Sequence, residues 1–145
     1  MVLYNMRVVL DTNIIVSGLR SKNGLSYQIL KGISTLPIEI CLSVALMLEY
    51  EDVLKRSKMI DYSNKQIDTI LDFLAANSVH SKINYLWRPY LSDPKDDLLL
   101  ELAFNANASI ITYNLSDFQN SSDLGVTAIE PAELFRILIK KGWKA

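Results

Sequence analysis

The chain has 145 residues, of which 50% are hydrophobic and 21% are charged, a balance typical of a globular fold rather than a disordered chain. Its length suits a single core, so we expect residues 1–145 to form one domain. A net charge of −1 argues against a large basic face for nucleic acid. The longest uncharged apolar stretch, 40–48, is far shorter than the roughly 20 residues of a membrane-spanning helix, so we expect a cytoplasmic protein with no membrane partner.

The predicted elements alternate between strands and helices. A strand at 7–10 precedes a helix at 25–34, and a strand at 38–42 precedes a helix that Ser43 caps and that runs to Arg56. There follow a helix with a capping box of Ser63 and Gln66, a weak strand at 79–83, a helix at 95–107, strands at 108–112 and 126–129, and a helix from Pro131 to about 142. This alternation predicts an α/β fold: a three-layer α/β/α sandwich around a Rossmann-like, mostly parallel sheet of four to five strands.

Asp11 stands directly after the first strand, in the segment MRVVLDTNIIVSG at 6–18. Open parallel sheets bind ligands in the crevice outside the carboxyl ends of their strands. A carboxylate buried there costs free energy unless a cation meets it. Asp11 is therefore the first candidate for a functional site.

Three further acids occupy comparable places. Glu49 lies at the margin of the apolar stripe of its helix, Asp97 begins the helix at 95–107, and Asp117 follows the strand at 108–112. Each has a structural explanation by itself: a surface acid, a partner of the helix dipole, and a loop residue. Their shared position at one edge of the predicted sheet favours a common site.

A cluster of carboxylates needs a cation, because mutual repulsion otherwise raises the pKa of its members. No group of histidines or cysteines accompanies the acids; we interpret His80 as structural and Cys41 as a small buried residue. Oxygen ligands suit Mg²⁺ or Mn²⁺ rather than zinc. One or two such ions can activate water and stabilise charge on a phosphoryl oxygen, which is the chemistry of phosphodiester hydrolysis.

These motifs resemble the PIN-domain ribonucleases, in particular the VapC-like toxins of toxin–antitoxin systems. MRVVLDTNIIVSG is similar to the opening strand and first acid of that family, so the resemblance makes Asp11 a metal ligand that Thr12 and Asn13 hold in place. LSVALMLEYEDVLKR at 42–56 resembles the second motif, with its acid at Glu49.

Two later motifs complete the resemblance. DPKDDLLLELA at 93–103 resembles the third motif, with Asp97 as the ligand and Asp93 and Asp96 as supporting acids. ITYNLSDF at 111–118 resembles the fourth motif, in which Asn114 or Asp117 completes the site beside Thr112. Glu101 departs from the family by replacing a small residue, and Tyr113 stands where a basic residue is frequent.

The resemblance implies a single PIN-like nuclease domain that cleaves RNA with Mg²⁺ or Mn²⁺, by in-line attack of an activated water. The catalytic and metal-binding residues would be Asp11, Glu49, Asp97 and Asp117. It further implies a homodimer and a small antitoxin partner. Two alternatives stay open: an inactive PIN-like module that binds RNA or protein, and a PIN nuclease of RNA processing.

Two other enzyme classes place an aspartate after the first strand. Haloacid-dehalogenase-like phosphatases need a second acid two residues later, where this chain has Asn13. Receiver domains need an acidic pair at the first strand end and a lysine after the last parallel strand, and the segment 112–114 offers none. Both classes fit the sequence less well than a nuclease does.

Overall fold

A computed structural model describes residues 5–82 and 94–144. Five strands form one sheet in the order β3-β2-β1-β4-β5, and every neighbouring pair is parallel. The strands are β1 (Met6–Leu10), β2 (Ile38–Leu42), β3 (Ser78–His80), β4 (Ser109–Ile111) and β5 (Ala128–Ile129). The predicted α/β fold with a parallel sheet of four to five strands is confirmed.

Helices cover both faces of the sheet. They are α1 (Thr12–Arg20), α2 (Leu25–Lys31), α3 (Val44–Arg56), α4 (Asn64–Ala76), α5 (Pro94–Ala106) and α6 (Pro131–Lys140). Helix α1 packs against α2 and α3, α3 packs against α4, and α5 packs on β1, β2 and β4. From β1 to β2 to β3 the chain moves toward one edge of the sheet, and from β3 to β4 it crosses back toward the other edge. Because crossovers between parallel strands are right-handed, α1–α4 lie on one face of the sheet and α5 lies on the other.

Strand β1 lies at the centre of the sheet and of the hydrophobic core. Val8, Val9 and Leu10 are fully buried, as expected for a strand with neighbours on both sides and helices on both faces. One continuous cluster of buried apolar side chains surrounds the strand. Asp11, the charged residue that follows β1, therefore lies at the edge of the hydrophobic core.

Helix α1 is the main difference from the sequence prediction, which has no helix at 12–20. The helix begins directly after Asp11, without a side-chain hydrogen bond at its N-terminus. Its β-branched run has weak helix propensity, but burial of Ile14 and Ile15 in the core outweighs that preference. Gly18 allows close packing against α2, since a Cβ there would lie 2.5 Å from Leu30 Cδ1.

Other local predictions are confirmed at their capping residues. Ser43 accepts a hydrogen bond from the Leu46 amide at 3.1 Å, and Ser63 with Gln66 forms the expected capping box. Helix α2 ends at Lys31 rather than near 34, and β3 covers Ser78–His80, while residue 83 lies outside the described residues. No helix in the described residues has the length and apolar character needed to cross a membrane.

Candidate active site at the carboxyl edge of the sheet

The candidate site lies where the order of the strands reverses. Strand β1 has β2, the next strand in the chain, on one side and β4 on the other. Asp11 follows β1 and Thr112 follows β4, and the Asp11 amide donates to the Ile111 carbonyl at 2.9 Å. A crevice at such a topological switch point is the usual ligand site of an open α/β sheet.

Side chains from both strand ends hold the Asp11 carboxylate. The Thr112 hydroxyl donates to Asp11 Oδ2 at 2.7 Å, and Asn13 Nδ2 donates to the same oxygen at 3.3 Å. The backbone N–H of Asn114 in turn donates to Thr112 Oγ1 at 3.0 Å. Three of the predicted supporting residues, Asn13, Thr112 and Asn114, thus form one network around Asp11.

Burial dominates the electrostatics of Asp11 and raises its pKa. The Thr112 hydrogen bond and the backbone amides of Asn13 and Thr12 lower the pKa, whereas the negative charge of Asp117 raises it. The net pKa lies above the ordinary value, so the ionised carboxylate is incompletely compensated. A cation bound beside it would supply the missing compensation.

A cleft of about 190 Å³ brings most of the predicted residues together. It is lined by Asp11, Thr12, Asn13, Leu46, Glu49, Lys95, Asp96, Leu99, Asn114 and Asp117. Glu49 is 17% exposed, and its Oε1 lies 3.6 Å from Lys95 Nζ. Strand ends and helices that are distant in sequence therefore contribute carboxylates to one polar concavity.

Asp97, which the sequence favours as the third ligand, is nearly fully buried on the same helix turn as Asp96. Its side chain is 1% exposed and does not line the cleft, whereas the preceding residue, Asp96, does. Consecutive helical residues point about 100° apart, so only the rotation of α5 decides which acid faces the cleft. Glu101, one turn after Asp97, is also 1% exposed. Asp93 lies outside the described residues.

Sequence reasoning missed two functional candidates, Tyr50 and Lys95. Tyr50 is fully buried, and its hydroxyl donates to the carbonyl of Leu10, the residue before Asp11. Burial, with the nearby charge of Asp11, raises the pKa of Tyr50 well above its ordinary value, so the hydroxyl stays protonated and remains a donor. In the sequence, the position of Tyr50 directly after Glu49 and that of Lys95 within DPKDD could have pointed to these two residues.

The donor set of the cleft suits a hard cation. Asn13 Oδ1 is buried and accepts no hydrogen bond from the described residues, which leaves a free oxygen ligand beside the Asp11 carboxylate. Carboxylate and amide oxygens are the ligands that Mg²⁺ and Mn²⁺ prefer. Within 5–82 and 94–144, no three acidic, histidine or cysteine side chains form a ready-made metal site as they lie, and Glu49 is paired with Lys95.

A second concavity, which we term the apolar groove, lies between α1, α2 and α4 and has a volume of about 400 Å³. It is lined by Ile15, Leu19, Tyr27, Leu30, Lys31, Ile33, Thr69, Ile70, Leu71, Phe73 and Leu74. Lys31 is the one charged residue among these, and Phe73 is 46% exposed. The apolar groove lacks the acids that a metal site requires.

Several solved structures of VapBC contain a chain with the same fold as this protein. The chain matches a structure of VapBC-1 from nontypeable Haemophilus influenzae with 20% identity and a TM-score of 0.62, over 88% of this chain and 99% of that chain. It matches VapBC2 from Rickettsia felis, bound to a promoter DNA fragment, with 17% identity and a TM-score of 0.60, over 86% and 98%. DNA-bound VapBC from Salmonella typhimurium matches with 13% identity and a TM-score of 0.61, over 87% and 98%.

At these identities the structural matches show the fold alone, and no curated protein sequence matches the chain significantly. The match to a family model shows the family instead. A model described as a PIN domain matches residues 7–116, which include β1, α3 and β4, the elements whose ends carry or adjoin the candidate site. The chain therefore belongs to the PIN domain family of nucleases.

Proposed function

We propose that this protein is a divalent-metal-dependent endoribonuclease and the toxin of a toxin–antitoxin pair. The observation that carries the proposal is the held carboxylate of Asp11 at the switch point, with Glu49, Asp96 and Asp117 in the same cleft. Family membership supports phosphodiester hydrolysis, and the proposed site of action is the cytoplasm.

In this mechanism Asp11, Glu49, Asp96 and Asp117 would hold one or two Mg²⁺ or Mn²⁺ ions, with Asn13 Oδ1 as a further oxygen ligand. When bound, such an ion supplies an activated water and stabilises charge on a phosphoryl oxygen. Asp97, nearly fully buried beside Asp96 on the same helix turn, stays a predicted ligand.

The remaining residues orient the carboxylates. Thr112 fixes Asp11 Oδ2 by donating its hydroxyl proton, and the Asn114 amide holds the Thr112 oxygen in place. Tyr50 anchors the carbonyl of Leu10 from α3 and so ties the helix of Glu49 to the strand end of Asp11. Pre-positioning of this kind lowers the reorganisation that the reaction requires.

The test is cleavage of a labelled single-stranded RNA by the purified protein with Mg²⁺, with Mn²⁺ and with EDTA. We expect cleavage only with a divalent ion, together with a Mn²⁺ titration in which wild type binds and Glu49→Gln binds more weakly. Metal binding without cleavage of any RNA would favour the inactive module. Cleavage that survives EDTA would contradict the metal mechanism.

We propose that a short apolar segment of an antitoxin occupies the apolar groove. The groove exposes contiguous apolar surface with a single cation, Lys31, which suits an amphipathic segment that also carries an acid. The structures that share the fold are VapBC complexes, which supports a protein partner for this chain too. An antitoxin gene beside the gene for this chain would favour the toxin over an RNA-processing nuclease.

We further propose a homodimer. Val44 and Leu48, one turn apart on α3, are 77% and 60% exposed, and a second copy could cover them. Light scattering should give twice the mass of the chain for wild type and the monomer mass for Leu48→Glu. A dimer mass for both proteins would place the dimer contact elsewhere. A monomer mass for wild type would contradict the homodimer.

A further inference from the structure

We propose that Lys95 binds a phosphate group of the RNA strand and so positions the substrate at the cleft. The inference rests on the proposed nuclease function and assigns a role to a residue within the third motif to which the resemblance gives none. Lys95 is the second residue of α5 and lines the cleft with Asp11, Asp96 and Asn114. Among the described residues of the cleft it is the only basic one.

The charge of the cleft creates the need for such a residue. Asp11, Glu49, Asp96 and Asp117 all line it, and four carboxylates repel a phosphodiester. The loop after β4, at 113–117, reads YNLSD and contains no cation. A positive charge that reaches this edge of the sheet must come from another element, and α5 provides it.

Local helix chemistry does not account for Lys95. The first turn of a helix favours negative side chains, because its free amides give this end a partial positive charge. The helix places a lysine there, directly before Asp96 and Asp97. This position is unfavourable for the helix but favourable for a group that must meet an anion at the helix N-terminus, where amides also point toward the ligand.

The ion pair with Glu49 leaves Lys95 able to exchange partners. Nζ lies 3.6 Å from Glu49 Oε1, and the lysine side chain is 59% exposed while that of Glu49 is 17% exposed. A pair this long with one solvated member contributes little to stability. The Glu49 contact is therefore weak, and a phosphate oxygen can replace it at small cost, after which Glu49 becomes available as a ligand.

The first experiment measures binding of a labelled single-stranded RNA by fluorescence anisotropy at several salt concentrations. Ca²⁺ replaces Mg²⁺, and a gel verifies that the RNA is recovered intact. Lys95→Met should weaken binding about fivefold to tenfold and reduce the slope of log affinity against log salt by about 0.7, the loss of one phosphate contact on a single strand. Lys95→Arg should retain the wild-type slope.

Lys55 provides the matched control. It also pairs with an acid of α3, since its Nζ lies 3.1 Å from Glu51 Oε2, but it does not line the cleft. Lys55 Nζ also lies 2.7 Å from Asp68 Oδ1 on α4, so Lys55→Met removes the same charge together with two shorter ion pairs. It should still leave the affinity for RNA and the salt slope unchanged.

The second experiment is a calorimetric titration with Mn²⁺ in the absence of RNA. Lys95→Met should bind Mn²⁺ a few times more tightly than wild type, because the ammonium no longer competes for Glu49. Removal of Lys95 thus strengthens binding of the metal while it weakens binding of the RNA. A purely structural lysine would not move the two affinities in opposite directions.

Two results would overturn the inference while the nuclease proposal survives. One is wild-type RNA affinity and salt slope in Lys95→Met; the other is an equal loss of affinity in Lys95→Arg and Lys95→Met, which would indicate a structural role. If wild type neither binds nor cleaves RNA, the proposed function itself fails, and the role of Lys95 falls with it.

Discussion

The polar cleft and the apolar groove are two concavities that share helix α1. The start of α1 contributes Thr12 and Asn13 to the cleft, whereas Ile15 and Leu19 contribute to the groove. The groove is the larger, at about 400 Å³ against about 190 Å³. Its size identifies no chemistry, because, of these two concavities, it is the smaller one, at the switch point of the sheet, that is lined by carboxylates.

The two regions also differ in what would stabilise them. In the cleft, burial and the neighbouring charge of Asp117 disfavour the ionised form of Asp11, so a bound cation would stabilise the site. In the groove, partly exposed apolar side chains such as Phe73 gain free energy when a partner covers them. One helix therefore lines both the proposed metal site and the proposed surface for the antitoxin.

The largest expected effect comes from Asp11→Asn, which should reduce RNA cleavage on the order of a thousandfold. The amide keeps an oxygen that can accept from Thr112 but loses the charge that binds the cation, whose contribution to the transition state is worth several kcal/mol. Initial rates with a fluorescent RNA and Mg²⁺ measure the loss. Asp61→Asn, an exposed acid outside the cleft, should cleave at the wild-type rate.

A groove substitution should give the next largest effect and separate the two regions. Phe73→Glu places a charge in the apolar groove, and we expect it to weaken antitoxin binding roughly tenfold to a hundredfold, as loss of a buried aromatic anchor does. Surface plasmon resonance with the antitoxin measures the change. RNA cleavage should be unaffected, and Met59→Glu, which is exposed outside the groove, should bind normally. Equal binding by both variants would place the partner elsewhere.

A metal ion bound in the cleft should raise the thermal stability of the protein. At a Mn²⁺ concentration of about 100 times Kd, the free energy of unfolding rises by about 2.7 kcal/mol, which is roughly 5 °C or more in Tm for a chain of this size. Glu49→Gln should shift less, and Phe73→Glu should shift as wild type does. Scanning calorimetry with and without Mn²⁺ provides the comparison, and an equal shift in Glu49→Gln would exclude Glu49 as a ligand.

Asp11 should also make stability depend on pH. Its pKa is raised in the folded state, so the folded protein binds more protons between the ordinary value of 3.8 and the raised value, and stability falls as pH rises through this window. Without metal, Asp11→Asn should therefore be more stable than wild type at pH 7, and the difference should shrink as pH falls through the window. Urea unfolding at several pH values measures it, and a difference independent of pH would contradict this origin.

The smallest effect should come from Tyr50→Phe. Loss of the hydroxyl leaves the buried Leu10 carbonyl without this donor, which should lower the free energy of unfolding by about 1–3 kcal/mol. Cleavage should fall only modestly, because Thr112 and Asn13 still hold Asp11. A chemical denaturation curve gives the stability, and an unchanged curve would show that water or another donor replaces the hydroxyl.

Much of the fold was predictable because its signals are local. Ser43, the box of Ser63 and Gln66, and Pro131 predict helix starts by their own hydrogen bonds or backbone angles, and the structure confirms them. The alternation of elements predicts the parallel sheet. That residues 1–145 form one domain stays a prediction.

Helix α1 and the choice between Asp96 and Asp97 were not predictable from local signals. The β-branched residues of α1 favour helix only once Ile14 and Ile15 are buried and Gly18 packs against α2. Either acid of α5 could face the cleft until packing on β1, β2 and β4 fixes the rotation of the helix. Both outcomes depend on contacts between residues that are distant in sequence.

Local patterns in the sequence, such as an acid after an apolar strand or at the start of a helix, predicted the residue types of the candidate site and their order along the chain. Which of these residues meet depends on the tertiary structure. It brings Asp11 to Thr112 across β1 and β4, lines the cleft with Asp96 while it buries Asp97, and sets Lys95 against Glu49. Strand order and helix rotation minimise exposed apolar surface over the whole chain, and the positions of the polar groups follow from that global packing.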